Sequence, residues 1–193
     1  EAAQYRDEVL KMEELLKDRR GNLTLTNING LCRIALDKLK KTYEQDIQEK
    51  NIRIVFDNLT LSLMMEVNVE QFSKVLAGIL KNSMYALLKK SETVTFSPEI
   101  FLGLKVNKDM LEITIRDNGS GIDENIKDKI FAPFFTTKTT GEAAGVGLYL
   151  CREIVQNHRG TIEVESKKGE YTQFLITIPV YQPKTITPPK EEE

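Results

Sequence analysis

Apolar residues along this 193-residue chain fall into short runs whose spacing switches between that of a helix and that of a strand. Over residues 1–18, Ala2, Tyr5, Val9, Met12 and Leu16 recur at alternating steps of three and four, the seam of a heptad repeat. No Gly or Pro interrupts that stretch. Two readings fit it: one strand of a coiled coil, or a single amphipathic helix packed on its own domain. A seam this short does not dimerise by itself. Arg19-Arg20-Gly21-Asn22 closes the helix and opens a new unit.

The pattern then predicts a strand over 23–28 and a helix over about 31–48, with Leu31, Ile34, Ala35, Leu39 and Tyr43 toward the core. Strands follow over 52–56 and 61–67, and a long helix over 69–90 carries the stripe Phe72, Val75, Leu76, Ile79, Leu80, Leu87. Two long strands, about 93–106 and 110–117, meet at Asn107-Lys108-Asp109, a hairpin signal. A short helix is expected near 124–130, then a Thr-, Gly- and Ala-rich stretch over 136–145, a helix over 146–157, and strands over 161–166 and 172–179. The segment from Gln182, with three prolines and three terminal glutamates, reads as a flexible tail. This order predicts an α/β (α+β) two-layer sandwich: a mixed, mostly antiparallel sheet covered by helices on one face and preceded by an N-terminal helix.

Composition narrows the function. Apolar residues make up 40% and charged residues 29%, an ordinary globular balance. With 27 basic and 29 acidic residues and no basic stripe, nucleic acid is a poor candidate partner. No apolar run approaches the roughly 20 residues of a bilayer span, and no signal peptide is evident, so a cytoplasmic segment is expected, whether free or part of a membrane-bound sensor. Cys32 and Cys151, both in helix-like stretches, read as buried thiols rather than a disulfide.

Four stretches carry the chemistry. Asn82, on the long helix, is either a surface carboxamide or an oxygen ligand for Mg²⁺, which takes few protein ligands and completes its octahedron with water and phosphate. Asp117-Asn118-Gly119-Ser120-Gly121 ends a strand. It is either a plain turn or a site whose glycines admit a ligand. There a carboxylate accepts from an exocyclic amine such as adenine's, while guanine's oxygen would leave it unpaired. Phe131-Ala132-Pro133-Phe134-Phe135 followed by Thr136-Thr137-Lys138 is either a pinned loop or the hinge of a lid whose lysine reaches a phosphate. Gly145-Val146-Gly147-Leu148 opens a helix, where free N–H groups favour anions, although such glycines also serve ordinary turns. The P-loop signature and the protein-kinase set are absent, and one His with two scattered Cys argues against a zinc site.

In this order, Asn82, Asp-x-Gly-x-Gly, a Phe-rich box ending in Thr-Thr-Lys, and Gly-x-Gly-Leu resemble the asparagine, first glycine, phenylalanine and second glycine boxes of sensor histidine kinases. Gly169-Glu170-Tyr171-Thr172-Gln173-Phe174 is similar to that family's last glycine element, and the Phe-Phe-Thr-Thr-Lys form resembles its nitrogen-regulation and sporulation kinases. The resemblance spans about residues 20–180 and implies a Bergerat fold with a lid over ATP. It implies that Asn82 binds Mg²⁺, that Asp117 holds the adenine amine, and that Gly119, Gly121 and Ile122 wall the base. Tyr85 would face the nucleotide, Thr172 would support the base through water, and Lys138, Gly145, Val146, Gly147 and Leu148 would close on the phosphates. It also implies a division into residues 1–19, the second helix of a dimerisation and phosphotransfer hairpin, 20–181, the catalytic ATP-binding domain, and 182–193, the tail.

Implied partners are ATP, a phosphoacceptor histidine helix, a response-regulator receiver domain and a second copy of the intact protein, with no membrane contact by this segment. The chain departs from the family in three places. The phosphoacceptor box is absent and the lone His158 reads as structural, so self-phosphorylation is not expected. Gly78 stands where histidine kinases often have a second Asn and related hydrolases a water-activating Glu, and Ala143 replaces a common lid glycine. The expected function is ATP:protein-histidine phosphotransfer, with a non-catalytic nucleotide-binding module as the alternative and an ATP hydrolase disfavoured by Gly78.

Overall fold

A computed structural model describes residues 10, 13, 14, 22–133, 135 and 147–181. Of the expected opening helix only Leu10, Glu13 and Glu14 are described, and they are helical; Phe134, Lys138, Ala143, Gly145, Val146 and the tail beyond 181 lie outside the described residues.

Strand β1 (Thr24–Asn27) runs directly into helix α1 (Ile28–Thr42), because Asn27 is the N-cap: its Oδ1 accepts from Gly30 N–H at 3.0 Å. The helix therefore starts before Leu31, and its buried face is Ile28, Leu31, Cys32, Leu36 and Leu39, while Ile34 is 55% exposed and does not join the core as expected. Nor does the helix continue to Gln48. Thr42 Oγ1 donates back to Lys38 O at 2.8 Å, a bond that competes with helix continuation. Tyr43 leaves helical geometry, and a second helix, α2 (Glu44–Lys50), closes on Asn51 in the left-handed conformation. Strand β2 (Arg53–Asp57) follows, and β3 (Met64–Val67) pairs antiparallel with β1.

Helix α3 (Val69–Ser91) is the spine of the domain. Asn68 caps it by accepting from Gln71 N–H at 3.1 Å, and its apolar stripe from Phe72 to Leu87 is buried as the spacing predicts. Strand β4 (Glu99–Asn107) begins later than expected. Thr93 and Val94 send their N–H groups back to Lys90 O, and Pro98 has no N–H with which to extend the ladder. β5 (Met110–Asp117) pairs with β4 through a tight turn at Lys108, whose φ is 55°. The helix expected near 124–130 contracts to a 3-10 turn at Lys127–Lys129. Asp123 Oδ1 accepts from Asn125 N–H in a local turn, and Pro133 cannot continue a helix. Helix α4 (Gly147–Asn157) and strands β6 (Thr161–Lys167) and β7 (Tyr171–Pro179) complete the described fold.

The main sheet has the order β2-β4-β5-β7-β6. The β2–β4 pair is parallel and the others antiparallel. On β4, β5 and β7 every second residue is buried: Ile100, Leu102, Leu104; Leu111, Ile113, Ile115; Phe174, Ile176, Ile178. These form one cluster with the buried stripes of α1, α3 and α4, the two-layer arrangement expected. On the opposite face Arg116 lies 4.0 Å from the centroid of the Tyr171 ring. Both cysteines are free and buried, as expected. Among the described residues no helix is long and apolar enough to cross a membrane.

Candidate functional site

The buried alternation of β5 ends on a carboxylate. Asp117 continues the inward series Leu111, Ile113, Ile115, and only 2% of it is exposed. Burial pushes its carboxyl up from 3.8 to about 6, opposed by the Gly119 N–H, the Ser83 hydroxyl, and the charges of Lys90 and Arg116. A buried carboxylate with a raised pKa at the end of a strand is costly to the fold, and groups perturbed in this way cluster at functional sites.

The loop after it is held on two sides. Toward α3, Gly119 N–H donates to Asp117 Oδ1 at 2.9 Å, Ser120 N–H donates to Ala86 O at 3.1 Å, and Lys90 Nζ donates to Asn118 O at 2.8 Å. A Cβ on Gly119 would fall 2.6 Å from the Ala86 carbonyl carbon and 2.8 Å from Asp117 Oδ1, so only glycine fits there. Toward the β6–β7 turn, Gly169 N–H donates to Ser120 O at 2.6 Å, and Ile122 N–H donates to Ser166 Oγ at 2.8 Å. Gly121 has φ +64°, and a Cβ there would lie 2.1 Å from Lys167 O. Asn118 secures the outer edge, accepting from Glu99 N–H and donating to Ser97 O, each at 2.8 Å.

Thr172 stands opposite Asp117 in the β5–β7 register and is also buried. Thus three sequence-predicted groups, Asp117, the Gly119–Ile122 backbone and Thr172, come together at one end of the sheet beneath α3. On α3, Asn82 and Tyr85 are half-buried, and Lys89 Nζ lies 5.9 Å from the Tyr85 ring centroid. The predicted phosphate-side residues divide: Gly147 is the exposed first residue of α4, with nothing within 4 Å of the position of a Cβ, and Leu148 packs on the core. Lys138, Gly145 and Val146 lie outside the described residues. Of the Phe-rich box, Phe131 meets Phe174 edge-on at 6.2 Å and Phe135 packs against the core.

Two residues escaped the sequence reading. Ser83 is 1% exposed, and although its hydroxyl sits near enough to Asp117 to draw its pKa down, it makes no hydrogen bond of sound geometry. A buried hydroxyl left so is costly unless a ligand completes it. Its signal was a polar residue one helical turn after Ile79 on the apolar stripe. Ser166 ends the inward alternation Ile162, Val164, Ser166 of β6, again a polar residue in an apolar series. His158 is structural, as expected: Nε2 accepts from Asn68 N–H at 3.1 Å, and Nδ1 contacts Ile154 O at 2.8 Å. That pairing fixes the neutral tautomer with its proton on Nδ1, and burial lowers the pKa of the ring.

A carboxylate acceptor, a glycine cradle that a Cβ would fill, and an uncompleted buried hydroxyl suit the amine edge of a purine. Residues 68–182 match the family model of histidine kinase-, DNA gyrase B-, and HSP90-like ATPases. The chain is 35% identical over 149 residues to cyanobacterial phytochrome A of Nostoc sp., covering 76% of this chain and 18% of that protein. It is 28% identical over 172 residues to the sensor histidine kinase ZraS of Salmonella typhi, covering 89% of this chain and 34% of ZraS. The chain thus spans about a third or less of these relatives. The catalytic domain of histidine kinase ThkA superposes with a TM-score of 0.66 at 28% identity, over 82% of this chain and 95% of that domain. The chain belongs to the histidine kinase-, DNA gyrase B- and HSP90-like ATPase family and carries the ATP-binding catalytic domain of a sensor histidine kinase.

Proposed function

We propose that this chain binds Mg²⁺–ATP and delivers the γ-phosphoryl group to a histidine on the phosphoacceptor helix of the intact protein, from which it passes to an aspartate of a response-regulator receiver domain. The observation that carries the reading is the buried Asp117 carboxylate, clamped by Gly119 N–H and standing beside the uncompleted Ser83 hydroxyl. Asp117 takes the adenine amine, Gly119, Gly121 and Ile122 wall the base, and Thr172 supports it. Asn82 supplies an oxygen to Mg²⁺, and Tyr85 lines the same side of α3. Lys138, Gly145, Val146, Gly147 and Leu148 hold the phosphates, Gly147 through the N-terminus of α4.

Phosphoryl transfer asks mainly for positioning and charge neutralisation, which these groups are suited to provide without themselves bonding to the phosphoryl group, which leaves ADP for the acceptor histidine. Residues 1–19 would belong to the second helix of the dimerising hairpin, 20–181 to the catalytic domain, and 182–193 to a tail. The segment acts on the cytoplasmic side without touching membrane or nucleic acid. Gly78 offers no side chain to activate water, which disfavours a hydrolase; its packing against Cys151 gives it a reason independent of catalysis.

The test supplies this chain with Mg²⁺, γ-labelled ATP and a separate helical hairpin bearing a phosphoacceptor histidine. Acid-labile label on the hairpin histidine is expected. Bound nucleotide without transfer would instead indicate the non-catalytic module, and steady phosphate release without an acceptor a hydrolase.

A further inference from the structure

The Ser166 hydroxyl stands at the centre of three contacts. It lies 2.7 Å from Tyr171 O, 2.8 Å from Ile122 N and 3.0 Å from Thr172 Oγ1. A serine hydroxyl has one proton to donate and two lone pairs with which to accept. A carbonyl oxygen only accepts, so the short contact to Tyr171 O consumes Ser166's proton. Ile122 N–H only donates, so it takes one lone pair. The contact to Thr172 is then decided: Thr172 donates its proton to Ser166. Thr172 Oγ1 is left with lone pairs alone, directly across the β5–β7 register from the Asp117 carboxylate.

We propose that Ser166 is a positioning and specificity-determining residue of the nucleotide site: by holding Thr172's proton it makes Thr172 an acceptor beside Asp117, and by accepting from Ile122 it fixes the loop that walls the base. The wall at this end of the sheet then offers acceptors to whatever docks against it. An exocyclic amine satisfies them, whereas a 6-oxo group places oxygen against oxygen. Selection of a 6-amino purine thus rests on Asp117 together with a hydroxyl whose direction is set from β6. This inference rests on the reading of the site as one for ATP.

The test is calorimetric titration of the whole chain with Mg²⁺–ATP and Mg²⁺–ITP, which carries a 6-oxo group in place of the amine. The readout is the ratio of their affinities. Ser166→Ala releases Thr172 to turn its proton toward an oxo group, so the preference for ATP is expected to fall about tenfold, the worth of one hydrogen bond. Ser166→Cys fills the position with a slightly larger group that donates and accepts only weakly, so it shows the same loss even where the alanine variant is too unstable to titrate. Ser166→Thr, which keeps the hydroxyl, retains the preference. Because Ser166 acts through Thr172, adding Ser166→Ala to Thr172→Val changes the ratio no further. In the nucleotide-free protein, amide exchange at Ile122 quickens in Ser166→Ala and Ser166→Cys.

A proportional loss of both nucleotides, or an effect of Ser166→Ala that persists in the Thr172→Val background, overturns the proposal while leaving the ATP site standing. If the unaltered chain binds neither nucleotide, the reading of the site falls, and this inference falls with it.

Discussion

Gly78 of α3 lies so close to Cys151 of α4 that a Cβ at position 78 would come 3.2 Å from the cysteine sulfur. That sulfur sits 3.8 Å from Val75 O, so the two helices meet through a glycine and a thiol. Gly78→Ala should change stability little, because the helix propensity gained, about 1 kcal/mol, opposes the squeeze. Gly78→Asn should cost about 1–3 kcal/mol by overpacking, and Cys151→Ala in the same chain should recover part of that loss. Denaturant unfolding of the native chain, Gly78→Asn, Cys151→Ala and the double variant closes the cycle; additive effects would show that this contact is not what restricts position 78.

Two other glycines should behave oppositely. Gly119→Ala drives a methyl into the Ala86 backbone and the Asp117 carboxylate, so it should lower stability by about 1–3 kcal/mol and abolish ATP binding. Gly147→Ala meets nothing within 4 Å and should leave the melting temperature unchanged or slightly raised. A loss of phosphotransfer in Gly147→Ala with binding kept would locate the defect at the phosphates. Thermal melts and calorimetry on both variants make the comparison.

Asp117 should make the unliganded fold less stable at neutral pH than its amide isostere. Its folded pKa is raised from 3.8 to about 6, so its contribution is fully present below pH 3.8 and is lost as pH rises through about 6. At pH 7.5 Asp117→Asn should therefore gain up to about 3 kcal/mol relative to the native chain. The gain should shrink as pH falls from about 7 toward 4. ATP affinity should run the other way, weakening below about pH 6 in the native chain as the carboxylate is protonated. The test is unfolding and titration of both proteins across that range.

His158 joins the C-terminal end of α4 to the N-cap of α3 and should carry no phosphoryl group. Incubation with Mg²⁺ and labelled ATP should leave it unlabelled. His158→Phe removes both of its ring hydrogen bonds and should cost about 1–3 kcal/mol without removing ATP binding. Its folded pKa lies below 6.5, so the stability it gives is present above pH 6.5 and lost as pH falls through its folded value. The difference in stability between native and His158→Phe proteins should therefore narrow on acidification.

What the sequence made legible follows from periodicity. The stripe Phe72–Leu87 fixes the buried face of α3 because its spacing has a single solution, and the alternation on β5 leads straight to Asp117. On α1 the pattern admitted Ile34 in place of Leu36, since which edge of a wide stripe is buried depends on how α3 packs against it. The start of β4 was misjudged because β-branched residues outweighed Pro98. Ser83 and Ser166 passed unnoticed, because a lone hydroxyl in an apolar series costs the pattern little. What each one touches includes a residue distant along the chain, Asp117 for Ser83 and Ile122 for Ser166.

The most direct measurement is calorimetric titration of ATP, ADP and GTP with Mg²⁺ into the native chain and Asp117→Asn. ATP and ADP should bind far more tightly than GTP, and the substitution should abolish adenine binding while the circular dichroism spectrum stays unchanged. Absence of nucleotide binding by the native chain, or GTP binding as tightly as ATP, would contradict the assignment of Asp117 and its loop as an adenine site.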